Sequence, residues 1–244
     1  MSNFRYLTNR LLRRLNEVEL SESDFNASKG IQSTAKDCVI DAVNEINLEH
    51  TDWPFNAVQH SQTLQVGVEE YAWPLNFTMA DWSSFQLQFD DPLNVRSQQL
   101  LPIAREEWYN YLKDRDDDST TSGIRRPIYV APSHGQGFAV SPSPDREYPI
   151  KFRYYKQPIE LEEADDEVTI PQRYDYVIMA GALYHLNLFK EDSEGAQLAE
   201  QKFRQGIAAM AKVLLPNNDH MFTPRMNAGN ASGRGSTRGI WTGF

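Results

Sequence analysis

The sequence predicts an α+β fold, in which helical pairs from the two ends of the chain form a four-helix bundle and a β-rich, sandwich-like domain is inserted between them. Apolar residues recur at three-to-four spacing near both ends, whereas alternating apolar residues and frequent turn residues mark the middle. We therefore expect an N-terminal helical pair over 1–58, a β-rich domain with a short helix over 59–165, a C-terminal helical pair over 166–215, and an extended docking arm over 216–244.

Two amphipathic helices are predicted at the start of the chain, separated by a polar break at 21–28. The apolar stripe of the first is Phe4, Leu7, Leu11, Leu15 and Val18. That of the second is Ile31, Ala35, Val39, Ala42, Val43 and Ile46. Three-to-four spacing places each set on one helix face, so both helices are expected to bury that face against a core.

The middle of the chain is predicted to be mostly β. Leu64, Val66 and Val68 alternate, and further runs with strand character lie at 85–89, 128–130, 138–140 and 150–155. A helix is expected over Leu100–Lys113, and the polar, acidic stretch at 114–123 is expected to be an exposed loop.

The helical period returns after residue 167, where Pro171 suits a first helical turn because its missing N–H would be unpaired there anyway. Two helices are predicted, with a turn at 191–195 and an end at Pro216. Their facing stripes are expected to pack together in the bundle through Ile178, Ala182 and Leu186 on one helix and Phe203, Ile207 and Met210 on the other. Gly181 and Gly206 lie within these helices, which indicates close helix approach or simple tolerance of glycine.

Charge is unevenly distributed along a chain of net charge −10. Residues 1–14 carry +4 and residues 216–244 carry +2, which leaves the segment between them at −16. Because nucleic-acid binding gains affinity when Lys and Arg replace phosphate counterions, so acidic a body disfavours a conventional DNA-binding role. The sequence has no apolar run of about 18 residues, so no membrane span is expected.

Candidate catalytic and metal-binding residues are weak. The five histidines form no metal-binding pair, and the glycines beside His134 are better explained by a turn between strands than by phosphate binding. The acidic runs at 116–118 and 165–167 lack the ligand spacing of a calcium loop. Cys38, the only cysteine, lies on an apolar helix face, where a buried side chain is expected. We predict no catalytic residue, metal or cofactor.

Two segments are predicted to bind partners. The arm is rich in Gly, Asn and Ser but ends in apolar side chains, so we expect it to order on a neighbouring chain through Arg225, Arg234, Arg238, Ile240, Trp241 and Phe244. The first helix carries Arg5, Arg10, Arg13 and Arg14 within a segment, residues 1–14, that has no acid, and arginine suits carboxylates on a partner. A loose tail and a solvated helix face are the respective alternatives.

Several motifs, in order, resemble the head-to-tail connector adaptors of short-tailed phages, the tail tubular protein A and tail accessory families. The stretch from Ile170 to Leu186 (IPQRYDYVIMAGALYHL) and the pattern from Ala196 to Phe203 are similar to the C-terminal helical pair of that family. The strand-end motif at 70–74, the Pro-x-Tyr strand at 126–129 and the hairpin at 141–155 also resemble it. The resemblance covers roughly residues 3–215, and the arm matches by role only.

The resemblance implies a structural virion protein without catalysis, assembled in the host cytoplasm and located in the neck. Twelve copies are expected to form a ring that joins the portal to the tail nozzle, and double-stranded DNA would pass through the lumen without specific binding. An acidic body suits such a conduit, because a basic wall would retain the duplex. Two alternatives stay open: another structural or binding module of a phage tail or baseplate, and a hydrolase that uses His134.

Overall fold

A computed structural model describes residues 2–91, 94–112, 124–133, 135 and 137–215 of the chain. It is a mixed α+β structure with two sheets, as predicted. The α-helices are α1 (Phe4–Arg14), α2 (Glu22–Phe25), α3 (Ile31–Glu49), α4 (Arg105–Glu107), α5 (Asp175–Phe189) and α6 (Ser193–Leu214). Short 3-10 turns at Pro54–Asn56 and Gln172–Tyr174 lead into the first strand and into α5, and a π-helical turn, Trp108–Leu112, follows α4.

Side-chain caps explain where several helices begin. The Asn3 side chain accepts a hydrogen bond from the Tyr6 backbone N–H at 2.9 Å and so caps α1. Asp192 caps α6 in the same way, accepting from the Gly195 N–H at 3.0 Å. The polar break at 21–28 contains the single turn α2, whose Phe25 is buried against the helical core.

The strands form two four-stranded sheets in the described part of the chain. They are β1 (Ala57–Leu64), β2 (Glu70–Ala72), β3 (Phe77–Asp91), β4 (Asn94–Gln99), β5 (Leu101–Pro102), β6 (Tyr129–Pro132), β7 (Gly137–Ser141) and β8 (Tyr148–Lys156). The first sheet has the order β1-β8-β3-β4 and is antiparallel. The second has the order β2-β7-β6-β5, with a parallel pair between β5 and β6.

The side chains of the two sheets meet in one cluster dominated by aromatic rings. Phe85 and Phe152 of the first sheet are stacked with ring centroids 4.6 Å apart, and Phe138 of the second sheet lies 5.4 Å from both rings. All three side chains are buried. The alternation of strand residues therefore places one face of each sheet in a common core.

A second cluster joins the helices from the two ends of the chain. Residues of α1, α3, α5 and α6 contribute to it, and α5 packs against both α3 and α6. The first residues add a backbone link, because the Phe4 N–H donates to the Asp166 carbonyl at 2.8 Å and the Val168 N–H donates to Ser2 at 3.1 Å. The division of the chain into segments 1–58, 59–165, 166–215 and 216–244 stays a prediction.

Three local predictions were wrong. Val18 is predicted on the buried stripe of the first helix, but α1 ends at Arg14 and Val18 is 76% exposed. The alternation over 64–68 is not a strand: β1 ends at Leu64, and a turn follows in which Gly67 adopts φ +71°. A helix over Leu100–Lys113 was also predicted, but Leu101–Pro102 is a strand because the Leu101 and Ile103 N–H groups donate to the carbonyls of Ile128 and Val130. The helix begins only at Arg105.

Candidate interaction site

The arginines of α1 are predicted to face a partner because residues 1–14 contain no acid, yet three of them lie beside carboxylates of the same chain. Arg5 is 3.6 Å from Glu22 and 3.9 Å from Asp165. Arg13 is 3.4 Å from Glu19. Folding therefore supplies the acids that the first segment lacks, which weakens the argument for a partner at Arg5 and Arg13.

Arg10 lies at a buried carboxylate. Its guanidinium is 3.7 Å from an Asp175 side-chain oxygen that also accepts a hydrogen bond from the Ser2 hydroxyl at 2.7 Å. Asp175 is 4% exposed, and its other carboxylate oxygen has no hydrogen-bond partner among the described residues. Removing one partner from a buried charge is costly, so the ion pair of Arg10 holds α1 against the start of α5.

Arg14 differs from the other three arginines of α1. No described carboxylate lies within 4.0 Å of it, although its side chain borders a groove between α5 and α6. Partial burial and the neighbouring Arg10 lower the pKa of Arg14 from its usual value. The side chain is thus a cation at the edge of an apolar surface.

The groove lies open on the surface of the helical part and has a volume of about 610 Å³. Its floor is made of small and aliphatic side chains from both helices: Ala180, Leu183, Leu198, Ala199, Gly206 and Ala209. Tyr176 at one edge is 50% exposed and Leu198 is 56% exposed. Exposed apolar surface of this kind on a soluble protein is typical of an interaction site.

Charge in the groove has one sign. Among its described lining residues the charged side chains are Arg14 and Lys202, and neither Asp nor Glu lines it. Asp192 and Glu194 border a neighbouring depression at the N-terminal end of α6. The groove proper therefore favours an apolar partner that carries acidic groups.

An ion-pair cluster links α3 to α5 and α6 elsewhere on the helical surface. Glu45 of α3 lies 3.2 Å from His185 of α5 and 3.1 Å from Arg204 of α6. Arg204 is also 3.4 Å from Glu49 and 3.9 Å from Glu200. These contacts join the helices to one another, in contrast to the open groove.

The six predicted packing residues of α5 and α6 all lie in the helical cluster, where each is at most 3% exposed. Gly181 explains how the helices come so close. A Cβ built there would lie 2.7 Å from Phe203 Cε2 and 2.9 Å from Ala42 Cβ. Three helices therefore meet at Gly181, and close approach, not tolerance of glycine, accounts for that residue.

The arm residues Arg225, Arg234, Arg238, Ile240, Trp241 and Phe244 lie outside the described residues, as do His134 and the acidic run at 116–118. Cys38 is buried, and burial together with Asp41 and Asp37 raises the pKa of its thiol to about 11, which leaves it a poor nucleophile. Asp166 accepts hydrogen bonds from the Glu162 and Glu163 N–H groups and so shapes a turn.

No group of His, Cys, Asp and Glu side chains in the described ranges is arranged to hold a metal ion. Across the same ranges, each helix is too short or too polar to cross a membrane. The groove was not predicted from the sequence, although the spacing of small residues along α6 indicates it. Small residues at 195, 199, 206 and 209 accompany the exposed Leu198 along α6, and Ala199 and Gly206 also belong to the buried face of that helix.

Comparison with known protein families gives one match. The family model described as SU10 adaptor protein matches residues 2–228. The match includes every helix and strand described above and continues into the arm. No curated protein matches the chain.

Proposed function

This chain belongs to the SU10 adaptor protein family, and from that premise we propose that it forms the adaptor ring that joins the portal to the tail nozzle. Membership supports a structural role as a phage adaptor in the virion neck, and this family is not a class of enzymes. The observation that carries the proposal is the extent of the match, 2–228, because it covers both helical ends and the strands between them.

We propose that α1, α3, α5 and α6 act as one four-helix bundle and form the wedge of each subunit. Their shared core supports this, since segments from opposite ends of the chain bury a common set of side chains. Identical wedges can meet through two different surfaces, with a fixed rotation from each subunit to the next. They close into a ring when a whole number of these rotations completes a full turn. Twelve copies, the number that the family resemblance implies, would surround a DNA conduit.

The charge of the chain supports the conduit. The segment between residues 14 and 216 carries −16, so a lumen formed by it would repel DNA phosphates and allow passage without specific binding. The arm, in contrast, carries +2 and ends in Ile240, Trp241 and Phe244. We propose that these side chains anchor the arm in the portal or in an adjacent adaptor.

Imaging the virion tests the position of the protein. Cryo-electron microscopy of wild-type particles is expected to show one ring of this protein between portal and nozzle. Density for the chain in a baseplate would support the alternative tail module instead, and its absence from the particle would contradict a structural role.

Deleting residues 217–244 tests the arm. We expect the truncated protein to stay folded, because α6 ends at Leu214, and to lose binding to purified portal rings. Trp241→Ala alone is expected to weaken portal binding by about 2 kcal/mol, as buried aromatic anchors often do. Thr242→Ala is the matched control and should bind like wild type. A truncated protein with wild-type portal affinity, or one that no longer folds, would contradict the docking role.

A further inference from the structure

We propose that the groove between α5 and α6 receives the exposed face of α3 from a second copy of this chain. This contact would join neighbouring subunits, so the inference rests on the proposed ring and names the surfaces that close it. The two surfaces are different parts of the subunit: α3 contributes no residue to the lining of the groove.

The groove can admit a helix. Ala180 and Ala209, which line it and are not buried, have short side chains, so a partner backbone can approach closely there. Leu198 and Tyr176, both at least half exposed, would gain burial on contact. Within the subunit, Arg14 of α1 reaches the groove, and all its other lining residues belong to α5 and α6 themselves.

Charge selects the occupant. The groove presents Arg14 and Lys202, so it favours an acidic helix face that also carries apolar surface. The arm of a neighbouring copy has the wrong sign, because residues 216–244 carry +2. An occupant that belongs to the same chain must therefore come from its acidic body.

Helix α3 presents such a face. Asp37, Asp41, Asn44 and Leu48 follow one another at helical spacing and are exposed, and the Leu48 side chain is 80% exposed. Neither aspartate has an ion-pair partner within the described part of the chain. Both raise the pKa of the buried Cys38 thiol, which reports their negative potential.

The acids at the N-terminal end of α6 orient the contact. Asp192 and Glu194 would repel the aspartates of α3, whereas Arg14 and Lys202 would attract them. We therefore place Asp37 and Asp41 at the Arg14 and Lys202 end of the groove. Because the two surfaces of the contact are different, a dimer still has one free groove and one free α3 face. Further subunits can therefore bind until a ring closes.

Two charge-reversed proteins test the contact. One carries Arg14→Glu and Lys202→Glu in the groove, and the other carries Asp37→Lys and Asp41→Lys on α3. Each protein alone would place like charges together at every contact, so sedimentation velocity should show self-association weakened by about tenfold or more. Arg125→Glu before β6 and Glu147→Lys before β8 are exposed controls that alter net charge in the β part, at residues that belong to neither surface.

Mixing the two reversed proteins gives the decisive result. The acidic groove of one matches the basic α3 of the other, and the second contact also pairs opposite charges. An equimolar mixture is therefore expected to recover self-association with alternating copies, which native mass spectrometry resolves as equal numbers of each protein. Thermal unfolding of each variant checks that it is folded.

Several outcomes would overturn the proposal. These are wild-type protein that stays monomeric at high concentration, reversed proteins that associate like wild type, and folded variants whose mixture does not recover. Loss of association on deleting 217–244 with no effect of the reversals would assign self-association to the arm instead of to the groove and α3. Portal binding and the position in the virion are measured separately, so a failed contact can be distinguished from a failed adaptor role.

Discussion

The helical part and the β part of this chain are stabilised in different ways. The β core is built from large rings that stack across two sheets, such as Phe85 on Phe152. The helical core depends on close backbone approach, since Gly181 admits the Phe203 ring and Ala42 against α5. Stacked rings can slide a little without losing contact, whereas a glycine contact has no spare volume. The helical part should therefore be the more sensitive to small changes in shape.

The largest expected effect compares one buried phenylalanine in each part. Phe203→Ala in the helical core and Phe152→Ala in the β core should each lower the free energy of unfolding by about 3–5 kcal/mol. Scanning calorimetry of the two variants should show whether the helical and β parts unfold in one transition or in two. If the parts unfold separately, each variant shifts a different peak; if they unfold together, both shift the same peak. Unchanged thermal stability of Phe203→Ala would remove that side chain from the core.

Overpacking at Gly181 should have the next largest effect. Gly181→Leu places a side chain where Phe203 and Ala42 already lie within 3 Å of a built Cβ, so we expect a loss of about 1–3 kcal/mol or more. Gly206→Ala is the matched control. Its Cβ would lie 3.0 Å from Val177, and the gain in helix propensity of about 1 kcal/mol offsets the crowding. Equal stability of Gly181→Leu and wild type in urea would contradict the close contact.

Reversing single arginines of α1 separates folding from assembly. Arg10→Glu leaves the buried Asp175 carboxylate beside a like charge, so we expect a loss of about 1–3 kcal/mol in urea unfolding. Arg14 has no carboxylate partner among the described residues. Arg14→Glu should therefore change the free energy of unfolding by no more than about 0.5 kcal/mol. A comparable loss of stability in both variants would show that Arg14 also serves the fold.

The smallest effect concerns pH and the β part. Burial raises the pKa of Asp81, but hydrogen bonds from Ser83 and Arg153 and the charge of Arg153 outweigh it, so that the pKa is lowered below 3.8. A lowered pKa in the folded state means that the stabilisation is complete above pH 3.8 and is lost as pH falls through the folded value. Because exposed ion pairs contribute little, we expect less than about 1 kcal/mol.

Asp81→Asn tests this dependence. The variant should unfold with a shallower pH dependence below pH 3.8 and match wild type more closely in acid than at neutral pH. The same comparison with Glu147→Gln, at an exposed residue before β8, controls for general charge effects. A steeper acid dependence in Asp81→Asn would reverse the sign of the argument.

Periodicity predicted the main helices well because each buries one continuous stripe. The stripes with Leu7 and Leu11, and with Phe203 and Ile207, lie in α1 and α6 as expected. Prediction failed where a backbone contact distant in sequence decided the structure. Leu101 is extended because its N–H reaches the Ile128 carbonyl, and no local pattern encodes that partner.

By itself, the sequence determined where the main helices lie and which side chains are apolar, because those properties follow from local spacing. Only the tertiary structure decided which charges are paired. Arg10 is neutralised by Asp175, a residue far along the chain, whereas Arg14, one helical turn later, borders a groove. Both arginines look alike in a sequence, since charge and helical spacing are local. Their surroundings differ because folding brings α5 and α6 beside α1.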